Sequence, residues 1–235
     1  MATFVLVHGA WHGSWCWKRV RKALQVRGHE VFTPTLTGVA ERSHLLSPHV
    51  NLETHIEDVV NLIRWEELSD VVLCGHSYGG CVISGVADRI PDRIGALVYL
   101  DAFVLEDGQS LHDTLPPFQK NLQLEGAMRD GEGWKVSPIP AEVFNVVADK
   151  RAWVDRRCRP QALATFESPA LLSGKHLKVP QRLYILADGW DPSPFRHFAA
   201  QAEGKLGWRV AKMPCGHDVM VDLPKELAAE LTKLV

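Results

Sequence analysis

Six short runs of this chain are mainly apolar, with longer segments of helical spacing between them. They are TFVLVHG (3–9), HEVFTP (29–34), DVVLCG (70–75), GALVYLDAF (95–103), QRLYILAD (181–188) and GWRVAKMP (207–214). A strand that alternates apolar and polar residues has one wet face, whereas a strand apolar throughout needs cover on both. Between the runs, SWCWKRVRKALQVRG (14–28) reads as a helix closed by Gly28. Residues 51–66 stripe Leu52, Ile56, Val59, Val60 and Ile63 behind a candidate N-cap, Asn51. Helical patterns recur at 78–90 and near 193–204, and Leu223, Leu227, Leu231 and Leu234 stripe a last helix. This alternation predicts an α/β fold: a mainly parallel sheet of about six strands, helices on both faces and right-handed crossovers.

Residues 107–175 break the rhythm. They carry prolines, several aromatics (Phe118, Trp134, Phe144, Trp153, Phe166) and helix-like pieces without strand partners. A stretch this long is not a simple loop in a compact domain. It reads as a helical cap inserted over one end of the sheet, with 1–106 and 176–235 forming the core.

Composition narrows the partners. A formal net charge of −2 over 235 residues argues against nucleic acid or an anionic membrane. The run DKRAWVDRRCRP (149–160) alternates in sign and reads as a solvated helix face. The opening MATFVLVHGAWHG has no basic flank and only a short apolar run, so it reads as a first strand and not a signal peptide. Five cysteines without C-x-x-C spacing argue against a disulfide framework and point to the cytoplasm. Cys74 and Cys81 fall on apolar patterns, where a cysteine acts as a small buried hydrophobe.

The chemistry concentrates at Gly75-His76-Ser77-Tyr78-Gly79, a G-x-S-x-G between a strand pattern and a helix pattern. A strand that turns abruptly into a helix holds its corner residue in a strained conformation, side chain outward, and leaves no room for Cβ atoms beside it. Ser77 at that corner is a candidate nucleophile, at the start of a helix whose dipole favours developing negative charge. A serine needs a base. His217, in CGHDVMVDLP after the last strand, would reach the same sheet edge. His76 should point away from the nucleophile and His8 should brace the first turn. His8 and His12 have i, i+4 spacing but no third ligand, so no metal site is expected. Backbone N–H groups of Tyr78 and of Ala10, in HGAWHG, are the candidate oxyanion donors. Trp11 and His12 of the same loop are candidate substrate contacts. Three aspartates end strands on this edge: Asp101, Asp188 and Asp191. Each keeps the chain order Ser, Asp, His.

The segments FVLVHGAWHGSWCW, GHEVFTPTLTG, VVLCGHSYGG, LVYLDAF and CGHDVM resemble the α/β-hydrolase superfamily. The nearest branch holds plant methylesterases and salicylate-binding esterases, with hydroxynitrile lyases as a variant, and bacterial pyrethroid-hydrolase-like esterases. The resemblance implies the α/β-hydrolase fold, beginning at the family's third strand. It favours Asp188 as the acid, because the branch places that aspartate seven residues before a phenylalanine with a proline between, as in Asp188, Pro192 and Phe195. The strand before Asp188 is about two residues short, which keeps Asp191 open. Asp101 matches another arrangement, seen in haloalkane dehalogenases, whose nucleophile is however an aspartate. The lyases place a threonine and a lysine where this chain has Ala10 and Asp218, so the resemblance implies an ester hydrolase. Such an enzyme would act through an acyl-enzyme on small-to-medium apolar or aromatic esters without cofactor or metal. Lyase or carbon–carbon hydrolase activity on the same residues, or a ligand receptor with a hydrolase pocket, are the alternatives. Oligomeric state, a homodimer included, stays open.

Overall fold

A computed structural model describes all residues, 1–235. The chain enters at β1 (Thr3–Val7), turns through a short 3-10 segment into α1 (Lys18–Val26), and returns as β2 (Glu30–Phe32). Helix α2 (Leu52–Trp65), strand β3 (Val71–His76), helix α3 (Gly79–Arg89) and strand β4 (Ile94–Leu100) follow. The segment between β4 and the next core strand holds α4 (Leu111–Thr114), α5 (Pro117–Asp130), β5 (Lys135–Val136), α6 (Ala148–Asp155), β6 (Gln161–Ala162) and α7 (Ala164–Glu167). The chain then completes the core with β7 (Gln181–Ala187), α8 (Arg196–Ala202), β8 (Trp208–Met213), α9 (Val219–Asp222) and α10 (Pro224–Thr232).

The six core strands lie in the order β2-β1-β3-β4-β7-β8, every neighbour parallel. The α/β-hydrolase fold read from the sequence is therefore present, with its strands within about three residues of the apolar runs. The sheet's centre is dry: all of β3 is buried, as is β1 from Phe4 onward and most of β4 and β7. Helix α2 starts as the sequence suggests, with the Asn51 side chain accepting from the Thr54 N–H and Thr54 reciprocating. Its apolar stripe, Leu52, Ile56, Val59, Val60 and Ile63, is buried, and Gly85 of α3 lets Ile56 approach closely. No helix is long and apolar enough to cross a membrane.

One expectation needs correcting. The inserted segment does carry strands, since β5 and β6 pair antiparallel through Lys135–Ala162 and Val136–Gln161. Two residues per strand are too few to leave a periodic signal.

The topology positions the site. After β1 the chain moves out to β2 and then crosses back to β3 on β1's other side, so the crevice above β1 and β3 is where strand order reverses. In open α/β sheets that crevice, at the strands' C-terminal ends, is where ligands bind.

Candidate active site

Ser77 sits one residue beyond β3, with φ at +53°. The strain is held by packing that only glycine permits. A Cβ on Gly79 would lie 2.8 Å from the Val7 carbonyl oxygen, one on Gly9 would lie 2.9 Å from Cβ of Ser77, and one on Gly75 would strike the Gly79 carbonyl. The corner is thus clamped between β1's end and its own helix, and the Ser77 N–H and C=O bond the Leu100 oxygen and the Phe103 N–H.

Asp101 occupies the equivalent corner next door. His76 pairs with Leu100 in the β3–β4 ladder, so the residues that follow, Ser77 and Asp101, leave the sheet side by side. Asp101 also has positive φ, +43°, and is fully buried. Its carboxylate accepts from His217 Nδ1 at 2.7 Å, from the Ala187 N–H at 3.1 Å and from Trp190 Nε1 at 3.2 Å. Burial pushes the Asp101 pKa up, and these three donors oppose that rise.

His217 lies past β8, and its Nδ1 contact leaves Nε2 as the nitrogen free to serve a hydroxyl. Its backbone N–H donates to the Phe144 oxygen at 2.9 Å. A Cβ on the preceding Gly216 would lie 2.6 Å from that same oxygen, so the inserted segment rests directly on the histidine loop. The ring stacks on Phe195, with centroids 4.9 Å apart and planes 3° apart. Phe144 and Trp190 flank it at 5.0 and 5.3 Å. Around a buried imidazole these aromatics exclude water and fix ring orientation.

Ser77 and His217 line one cavity of about 650 Å³, with Ala10, Trp11 and Tyr78. Its remaining wall is mostly apolar and comes largely from the inserted segment, including Leu111, Phe118, Val136, Phe144 and Phe166. Ala10 and Tyr78 both sit in turns at this wall, and neither backbone N–H donates to another protein group. Trp11 (φ +63°) is held by Gln161, which accepts from its backbone N–H at 3.0 Å, and by the Val136 oxygen, which accepts from Nε1 at 3.1 Å. Gln161, a buried polar residue of β6, left no trace in the sequence pattern because its partner is 150 residues away. Trp190 was equally silent, being one aromatic in a loop.

Several residues lie elsewhere than expected. Asp188, the acid favoured by family spacing, points to the surface and bonds Arg196 at 2.7 Å. Asp191, 80 % exposed at its side chain, faces the same arginine at 3.5 Å. Neither reaches His217, because β7 runs past the level of Asp101 before those residues begin. His12 is buried and forms no part of the cavity wall; it bonds the Ala10 oxygen and Asp218 instead. Of the inserted segment's aromatics, Trp134 and Trp153 also lie off the cavity, the latter against Trp15 at 5.1 Å. His8 donates to the Gly9 oxygen at 2.8 Å and accepts from the Leu36 N–H at 3.0 Å, so it braces the first turn; burial lowers its pKa to about 3. No three His, Cys, Asp or Glu side chains gather as a metal site, and all five cysteines are free and buried.

The arrangement presents an alcohol, an imidazole tied to a carboxylate, and unengaged N–H groups on one mostly apolar pocket. Comparison with known proteins points the same way. A family model described as "Alpha/beta hydrolase family" matches residues 4–230. The carbendazim hydrolyzing esterase of Nocardioides sp. (strain SG-4G) is 60% identical over 241 residues, covering all of both chains. The pyrethroid hydrolase of Sphingobium wenxiniae is 27% identical over 95% of this chain and 84% of its own length. Among solved structures, an extracellular alpha/beta-hydrolase from a Paenibacillus species superposes with a TM-score of 0.81 at 25% identity, covering 100% of this chain and 99% of that one. This chain belongs to the α/β-hydrolase family.

Proposed function

We propose that Ser77, His217 and Asp101 are the nucleophile, general base and orienting acid of this serine ester hydrolase, with the N–H groups of Ala10 and Tyr78 as its oxyanion hole. His217 Nε2 takes the Ser77 proton as Oγ attacks the ester carbonyl. The carbonyl π pair moves to oxygen, where the two N–H groups meet the charge; one such donor contributes roughly 3–4 kcal/mol. Asp101 holds Nδ1–H and stabilises the imidazolium as it forms. The ring returns its proton to the departing alcohol, leaving an acyl-enzyme, and then activates the water that releases the acid. The observation that carries this reading is the 2.7 Å contact between His217 and Asp101 beside a strained Ser77 on the same cavity.

A cavity of about 650 Å³, walled mainly by apolar side chains, suits a flat aromatic ester better than a long polar one. The 60% identical relative hydrolyses carbendazim, a methyl carbamate on a benzimidazole. We propose the same substrate class here: methyl esters and carbamates of small aromatic systems. The test is fluorophosphonate labelling with peptide mapping, followed by turnover on carbendazim and on p-nitrophenyl esters of increasing acyl length. Label on Ser77 and turnover of the aromatic carbamate are expected. Label elsewhere overturns the nucleophile, and a strong preference for long aliphatic acyl chains overturns the substrate class.

A further inference from the structure

His12 is only 2 % exposed, and both of its ring nitrogens face acceptors. Nδ1 lies 2.7 Å from the Ala10 carbonyl oxygen and Nε2 lies 3.1 Å from Oδ2 of Asp218. The carbonyl can only accept, so Nδ1 donates to it, and beside an ionised Asp218 carboxylate Nε2 donates as well, which makes the ring an imidazolium. Burial alone would lower the His12 pKa, but the Asp218 charge and both hydrogen bonds hold it above the ordinary 6.5. Burial would raise the Asp218 pKa, yet His12 keeps it well below the usual carboxylate range. The buried neighbours differ. His8 accepts through one nitrogen, and His76 donates from Nε2 to the His217 oxygen at 3.1 Å while its Nδ1 has no protein partner.

The pair's place in the chain gives it consequence. Ala10, whose N–H is the proposed oxyanion donor, is gripped at its carbonyl by His12, while Gln161 takes the next N–H. Asp218 directly follows His217. His76 directly precedes Ser77, and its Nε2 lies 3.9 Å from the otherwise unpartnered Oδ1 of Asp218. Neighbours of the oxyanion donor, the nucleophile and the base therefore meet in one buried cluster, behind the cavity wall. We propose that the His12–Asp218 ion pair is a positioning device that fixes the Ala10 peptide relative to His217, keeping oxyanion donor and base at their working separation. The proposal rests on the ester-hydrolase reading of the same site. Neither residue touches substrate.

A buried pair kept for stability alone is replaceable by two neutral residues, whereas removal of one partner strands a charge. That difference makes the role measurable. Asp218→Asn should lower kcat by about 10- to 100-fold with KM changed less than about threefold, the scale of a misplaced catalytic group. The double variant His12→Gln with Asp218→Asn should melt close to the parent yet keep the low kcat. A trifluoromethyl ketone should bind both variants more weakly in step with kcat, while the product acid binds as before. Ring nitrogen NMR of the parent should find His12 protonated on both nitrogens at neutral pH. That measurement needs no variant, so a bare nitrogen on His12 overturns the proposal even if Asp218→Asn fails to fold. A folded double variant with parental kcat overturns it too. Ser77 labelling separates the two readings: a parent that never labels there defeats the hydrolase mechanism, whereas normal labelling beside a fully active double variant defeats only the positioning role.

Discussion

His217 Nδ1 and Asp101 Oδ2 are 2.7 Å apart although 116 residues separate them in the chain. The ladder explains how: Asp101 leaves β4 beside the point where Ser77 leaves β3, and the loop after β8 brings the imidazole over it. Asp101→Asn should therefore keep the geometry, favour the wrong tautomer and lower kcat by about 10⁴-fold. Asp188→Asn breaks only a surface ion pair with Arg196 and should leave kcat within about twofold. Steady-state kinetics on one aromatic ester checks both, and the reverse ranking would return the acid role to Asp188.

Ser77→Ala should remove turnover on the order of 10⁶-fold while the unfolding transition stays near the parent's. A variant that still cleaves a p-nitrophenyl ester at the parental rate would show that another group attacks.

Trp190 donates Nε1–H to Asp101 at 3.2 Å. Trp190→Phe keeps an aromatic ring against His217 but deletes that donor. Loss of one charge-assisted hydrogen bond, about 1.5 kcal/mol, corresponds to roughly tenfold in kcat/KM. Unchanged kcat/KM would mean that Asp101 needs only its bonds to His217 and the Ala187 N–H.

Gly79→Ala places a Cβ 2.8 Å from the Val7 oxygen, within the backbone of a buried central strand that cannot give way. Such overpacking should cost about 1–3 kcal/mol or prevent folding. Denaturant titration measures it, and parental stability would mean that the corner relaxes.

Asp88, 6 % exposed, accepts from the backbone N–H groups of Ser173 and His176 and from both their side chains. Burial would raise its pKa, but these bonds bring it well below the usual carboxylate range. A folded-state pKa below the unfolded value of about 3.9 means stability fully present above that value and lost as pH falls through the folded one. Asp88→Ala should then lose about 2–3 kcal/mol at neutral pH. The gap to the parent should narrow below about pH 4 in urea melts, and a gap constant with pH would show the loss is one of packing alone.

What the sequence determined by itself is what local pattern encodes. Runs apolar on both faces demanded a parallel sheet, since nothing else covers them, and a serine between glycines at a strand–helix junction demanded a forced corner at Ser77. His217 followed because a parallel sheet delivers every strand-end loop to one edge. Only the tertiary structure shows which of Asp101, Asp188 and Asp191 lies against His217, since all three look alike as polar residues beyond apolar strands. Ladder register and the left-handed turn at Asp101 aim one of them at the imidazole, and register between distant strands leaves no local mark. The same holds for His12, which turns away from the cavity because its partner, Asp218, lies 206 residues further along, and for the cavity wall, which depends on how the inserted segment packs back over the sheet.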